Sequence, residues 1–106
     1  MTAFEKPKPS LKDIEKLSKL EKIIMDYFMK YISVGEIIAL VELREILKNL
    51  DSSEINIEKD DVIIEITISK TLANLVEKGF LEHEEGCYNL ASHLREELKK
   101  KSEMTS

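Results

Sequence analysis

Apolar residues recur at helical spacing in three stretches of this chain and at strand-like spacing after the third. Leu17, Leu20, Ile24, Tyr27, Phe28 and Tyr31 fall three or four apart, the stripe of one long helix face. Ser10 with Asp13 three residues on matches a capping pair, so this first helix is expected to run from Ser10 through Tyr31. The Tyr27, Phe28 and Tyr31 aromatics suit a core or a dimer seam better than a ligand cage. Leu43, Ile46, Leu47 and Leu50 make a second helix face, and Ile68, Leu72, Leu75 and Val76 a third. Lys78 and Gly79 then read as the last turn and cap of the third helix, because glycine takes positive φ without steric cost. Phe80–Glu84 and Cys87–Leu90 are short strand-like runs broken at Glu85-Gly86, a hairpin signal. Ser92 is placed to cap a last helix, His93 to about Lys101, with Leu90, Leu94 and Leu98 on one side.

Two segments admit more than one reading. Ser33 and Glu36 have the spacing of a capping box, which would open a helix straight through to Leu50. In Val62–Ile68 the β-branched residues suit a strand. A helix unbroken from Asp61 to Lys78 would place Ile64 with Leu72 on the core face. It would also bring Glu65 to the core and turn Ile63 and Ile66 outward beside Lys70 and Asn74. The remaining choice starts the helix near Ser69 as its cap. The long helix is preferred, and exposed Ile63 and Ile66 then mark a contact surface. The acidic connector 51–61 precedes it. Residues 1–9 hold both prolines and read as a mobile arm, 10–101 as a single domain, and 102–106 as a fraying tail.

Composition narrows the chemistry. A chain of 106 residues with 42% hydrophobic content suits one domain with a modest core. No membrane span or signal peptide is evident, so a soluble, cytoplasmic protein is expected. The charged residues are mostly Lys and Glu and Gln is absent, a bias resembling that of hyperthermophile, and so archaeal, proteins. Cys87 is the single cysteine, which excludes an internal disulfide and a cysteine zinc site. His83 and His93 stand apart with no metal-binding spacing. Asp60-Asp61 and Glu84-Glu85 lack the alternating oxygen ligands of a calcium loop. Gly35, Gly79 and Gly86 form no phosphate-cradling loop. No catalytic, metal or cofactor-binding residue is proposed, and an enzyme is not expected.

Helix, glycine, strand, turn and strand over Ile68–Leu90, with Leu72, Leu75, Gly79, Phe80 and Leu81 at their spacing, resemble the recognition helix and wing of the winged helix-turn-helix superfamily. The resemblance implies an α+β, mainly helical fold with an added C-terminal helix. It also implies a short first strand at Glu36–Leu40, with the second helix from about Val41, against the capping-box reading. It further implies DNA contacts from the outward residues of the third helix, Thr67, Lys70, Thr71, Asn74 and Lys78.

Charge argues otherwise. Ten acids against three lysines leave residues 51–85 at −7, while the whole chain is at −5. A DNA-binding face gains affinity by replacing counterions with Lys and Arg, whereas Glu82, Glu84 and Glu85 would repel phosphate. The preferred expectation is a winged helix working through protein contacts at Ile63, Ile66, Glu82, Glu84 and Glu85, as an accessory subunit in a DNA transaction. The alternative is a DNA-binding transcription regulator that dimerises through the first and last helices.

Overall fold

Ser18 divides the first apolar stripe into two helices. The computed structural model describes residues 7–51 and 53–105, in which Leu11–Lys16 is a short 3-10 helix and Lys19–Tyr31 is α1. Ser10 and Asp13 do pair, the Ser10 amide donating to Asp13 at 2.8 Å. A second box closes at Ser18, where the Glu21 amide donates to Ser18 Oγ and the Ser18 amide to Glu21 Oε1. One helix from Ser10 to Tyr31 is therefore corrected. Leu17 and Leu20 carry the apolar spacing across a break that the caps impose.

The ambiguous stretch after α1 contains a strand and a helix, each displaced from its expected place. Ser33–Gly35 is β1 and Glu36–Lys48 is α2, so neither a strand at Glu36–Leu40 nor a helix start at Ser33 or Val41 holds. β1 pairs with β3 through Ser33, Val34 and Gly35. The Glu36 amide, the first of α2, donates to the Gly86 carbonyl at 2.8 Å, so the hairpin itself supplies the acceptor that lets the helix begin there. Between α1 and β1, Ile32 is held at φ 61°, a strained conformation for a β-branched residue. Its carbonyl accepts the Leu90 amide at 2.7 Å.

The long third helix is present as α3, Asp61–Glu77. Asp60 caps it, its carboxylate accepting the Val62 and Ile63 amides at 3.0 and 3.1 Å. At the far end Gly79 takes φ 88°, the Phe80 amide donates to Leu75 and the Gly79 amide to Val76, a complete Schellman stop. The connector is stitched down: Lys59 Nζ donates to the Leu47 and Leu50 carbonyls at the end of α2, and Ile55 and Ile57 pack on the core.

β2, Leu81–Glu84, and β3, Cys87–Leu90, form the expected hairpin, with Glu85 at φ 46° and Gly86 at φ 79° as a two-residue turn. The sheet is antiparallel in the order β1-β3-β2. The last helix, α4, spans Ser92–Thr105, longer than the expected end near Lys101. Ser92 is its first residue and not its cap. The Ala91 carbonyl opens the helix, and the Ser92 amide and hydroxyl both donate to Glu82 Oε2, at 3.0 and 2.8 Å.

The whole is an α+β, mainly helical fold with a small three-stranded antiparallel sheet and a C-terminal helix. Phe28, Leu43, Leu47, Ile68, Leu75 and Leu94 are fully buried at its centre. Of the expected arm, residues 1–6 lie outside the described residues, as does Ser106 of the expected tail. Pro7 lies directly over the helix stop, since a Cβ added at Gly79 would come within 1.9 Å of the Pro7 carbonyl oxygen.

Candidate protein-binding surface

Three residues of α2 point into the core, Ala39, Leu43 and Leu47, and at 100° per residue Ile37 and Leu40 then turn toward α3 while Val41 turns away from the core to solvent. On α3 the buried line runs through Ile64, Ile68, Leu72 and Leu75, which turns Val62, Ile66 and Ser69 toward α2. Ile37 is 79% exposed, Val62 64%, Ile66 50% and Val41 42%. Between the two helices lie two hollows. One, of about 240 Å³, is lined by Glu36, Ile37, Leu40, Ser69, Leu72 and Tyr88. The other, of about 330 Å³, is lined by Leu40, Val62, Glu65, Ile66, Ser69 and Lys70. Leu40 and Ser69 belong to both, so the hollows form one apolar groove.

Ion pairs across α2 and α3 brace this groove. Arg44 meets Glu65 at 2.6 Å and Lys48 meets Asp61 at 2.9 Å. Glu65, expected in the core, is half-buried beside Arg44, which supplies the charge that tolerates its position. The hydrogen bond from Lys48 holds the Asp61 carboxyl below its usual range. At the other end of the groove stands the hairpin. His83 stacks on Tyr88 with ring centroids 4.3 Å apart and meets Glu36 at 3.0 Å, so this histidine is not isolated. Glu84 and Glu85 are exposed at the hairpin turn and carry no ion pair among the described residues.

The expected contact residues are thus brought together only in part. Ile66 lies in the groove and Glu85 at the turn beside its hairpin end, whereas Glu84 shares the strand face of Glu82. Ile63, 39% exposed, lies on the opposite flank of α3. Glu82 is half-buried and engaged with Ser92 and Arg95. Burial pushes its carboxyl up, but the Ser92 hydrogen bonds and the nearby positive charge prevail and hold it low. Glu82 therefore fastens the hairpin to α4. Ile37, Val41 and Val62 escaped the sequence reading. For Ile37 and Val41 the signal was an apolar surplus at the start of α2, outside the stripe that fills the core.

The candidate DNA-reading set is largely engaged within the fold. Thr71, expected outward, is 8% exposed and donates to the Thr67 carbonyl at 2.8 Å. Thr67 in turn donates to the Ile63 carbonyl. Lys78 pairs with Glu21 at 2.7 Å. Burial raises the Glu21 carboxyl, yet the bonds from Lys78 and Ser18 outweigh it and leave it lowered. Lys70 and Asn74 alone of the five are exposed without such a bond among the described residues.

A second apolar hollow, of about 300 Å³, lies between α1 and α2 and is lined by Ile23, Tyr27, Tyr31 and Ile46 with Asp26 and Lys30. Tyr27 donates to Glu42 there, and burial followed by that carboxylate pushes its hydroxyl above its usual range. Among the described residues, no group of three or more His, Cys, Asp and Glu side chains converges as a metal site would require. No described helix is long and apolar enough to cross a membrane.

A family model described as PolB1 Binding Protein 2 matches residues 18–96. The chain belongs to that family. The match opens at the residue that caps α1 and closes inside α4, so it takes in every helix and strand of the groove and the hairpin. A search of curated proteins gives no match.

Proposed function

We propose that this chain is a non-enzymatic winged-helix accessory subunit that binds a PolB1 polymerase by protein contacts and serves DNA replication in the cytoplasm. In this reading α3 and the β2–β3 hairpin are the recognition helix and wing of the family resemblance, turned from nucleic acid to protein. One observation carries it. On the face between α2 and α3, where a DNA-reading helix-turn-helix would present Lys and Arg, exposed Ile and Val predominate, Arg44 and Lys48 are paired within the molecule, and Lys70 is the one unpaired cation there among the described residues. Membership in a family named for binding PolB1 supplies the partner.

The competing reading is a homodimeric DNA-binding transcription regulator, joined through the first and last helices, with Lys70 and Asn74 reading bases. The two separate in one experiment. Mixed with purified PolB1 polymerase, the chain should co-elute in a stoichiometric complex on size exclusion, while labelled duplex DNA alone should show no binding that falls with added salt. Tight, salt-sensitive duplex binding by a dimer, with no polymerase complex, sinks the proposal.

A further inference from the structure

We infer that the α2–α3 groove seats an apolar helical segment of the polymerase whose end nearest the hairpin carries Lys or Arg. The inference rests on the polymerase-binding reading and adds the surface and the chemistry of what fills it. The groove carries apolar side chains along its length through Ile37, Leu40, Val62 and Ile66. Its two ends differ in charge. At the α3 start, Lys48 pairs with Asp61 and Arg44 with both Glu65 and Glu45, so the carboxylates flanking the groove there are already engaged. At the hairpin end, the Glu36 amide bonded to Gly86 holds the turn against α2, which brings Glu36 and Glu85 to one edge, while Glu84 follows Glu82 on the other face of the strand. Only His83 stands against these two carboxylates among the described residues, and Lys70 lies by the far hollow.

An apolar segment with a cationic end is the complement of that pattern. A helix laid between α2 and α3 would bury side chains at i, i+3, i+4 and i+7, the mode by which amphipathic helices fill grooves. Its basic end would meet carboxylates that have no strong internal partner, which sets the direction in which it lies. A second copy of this chain fits less well, because a two-fold would set groove on groove, and the Arg44 and Lys48 that the copy could offer to the acidic end are already paired with Glu65 and Asp61.

The test uses the full chain and intact PolB1 polymerase. Ile66→Asp places a carboxylate in the groove at a half-exposed position and should weaken the complex by roughly 30-fold or more, the range of an interface hot spot. Ile66→Ala, the milder variant, should weaken it in the same direction with an unchanged melting temperature, which guards against misfolding. Glu85→Lys should weaken binding by roughly 5-fold and flatten its dependence on salt. A photo-crosslinking residue in place of Ser69 should capture a polymerase peptide that is apolar with Lys or Arg at one end.

Ile46→Asp, in the hollow between α1 and α2, should leave affinity within about twofold, as contacts outside a hot spot do. Failure of the wild-type chain to bind the polymerase rejects the functional reading itself. Binding that tolerates Ile66→Asp, that is lost instead through Ile46→Asp, or that crosslinks Ser69 to a second copy or to an acidic peptide rejects the groove assignment and leaves the functional reading standing.

Discussion

The two flanks of α3 are made from the same helix and behave as different materials. The flank toward α2 carries Val62, Ile66 and Ser69 into an open groove. The opposite flank carries Thr67, Asn74 and Lys78, residues whose chemistry could read a base edge. Yet the Thr67 hydroxyl is bonded to its own helix and Lys78 is bound to Glu21. A side chain already hydrogen-bonded within the fold must give up that bond before it can serve a ligand. The apolar side chains of the other flank have nothing to give up, and covering them removes oily surface from water. Residue type alone favours the polar flank as the functional one, and bonding state favours the apolar one.

The comparison can be attacked first along the line between the flanks. Ile68 is fully buried there, so Ile68→Ala should cost about 2–5 kcal/mol in denaturant unfolding and disturb both flanks together. Gly79→Ala comes next. It forces an alanine into φ 88° against the Pro7 carbonyl, and should lower stability by about 1–3 kcal/mol while a folded sample keeps its polymerase affinity. Glu21→Gln removes the charge that holds Lys78 and should cost about 1–2 kcal/mol at neutral pH.

The same variant carries a pH signature. The Glu21 and Glu82 carboxyls are held below their ordinary 4.5 in the folded chain, so their contribution is complete above about pH 4.5 and is lost as pH falls through the lowered values. Wild type should therefore lose stability on acidification more steeply than Glu21→Gln, as thermal melts across pH 2.5 to 6 (roughly the carboxylate range) will read. The smallest effect belongs to Thr67→Ala with Asn74→Ala, which should leave polymerase affinity within about twofold because both lie on the flank away from the groove. A large loss there would invert the ranking of the flanks.

Much of the fold was legible in the sequence because the signals were local. The spacing of Leu72 and Leu75, the glycine at 79 and the Glu85-Gly86 turn each act within a few residues, and each stands where its chemistry placed it. The errors came from partners distant in sequence or from competing caps. The stretch from Ser33 to Glu36 could not be resolved because the acceptor that starts α2 belongs to Gly86, far along the chain in the hairpin turn. Ser92 looked like a cap because Glu82, which takes its amide, sits on another strand. The candidate groove was half legible. The 100° count exposed Ile66 correctly, but a groove is a property of two helices, and nothing in α3 alone announces that Ile37 and Leu40 stand across from it.

One consequence of the way α3 is stopped concerns length. Asp60 fixes its start and Gly79 its end, and the groove uses only the part from Val62 to Leu72 before the hairpin closes it. At 1.5 Å per residue that is a slot of roughly 15 Å, about three helical turns. A helix so short is marginal in water by itself. On the proposed docking, the slot is a ruler that admits a few turns and no more. The segment expected there is one that the polymerase already holds in helical form, not a free tail that would have to fold as it binds.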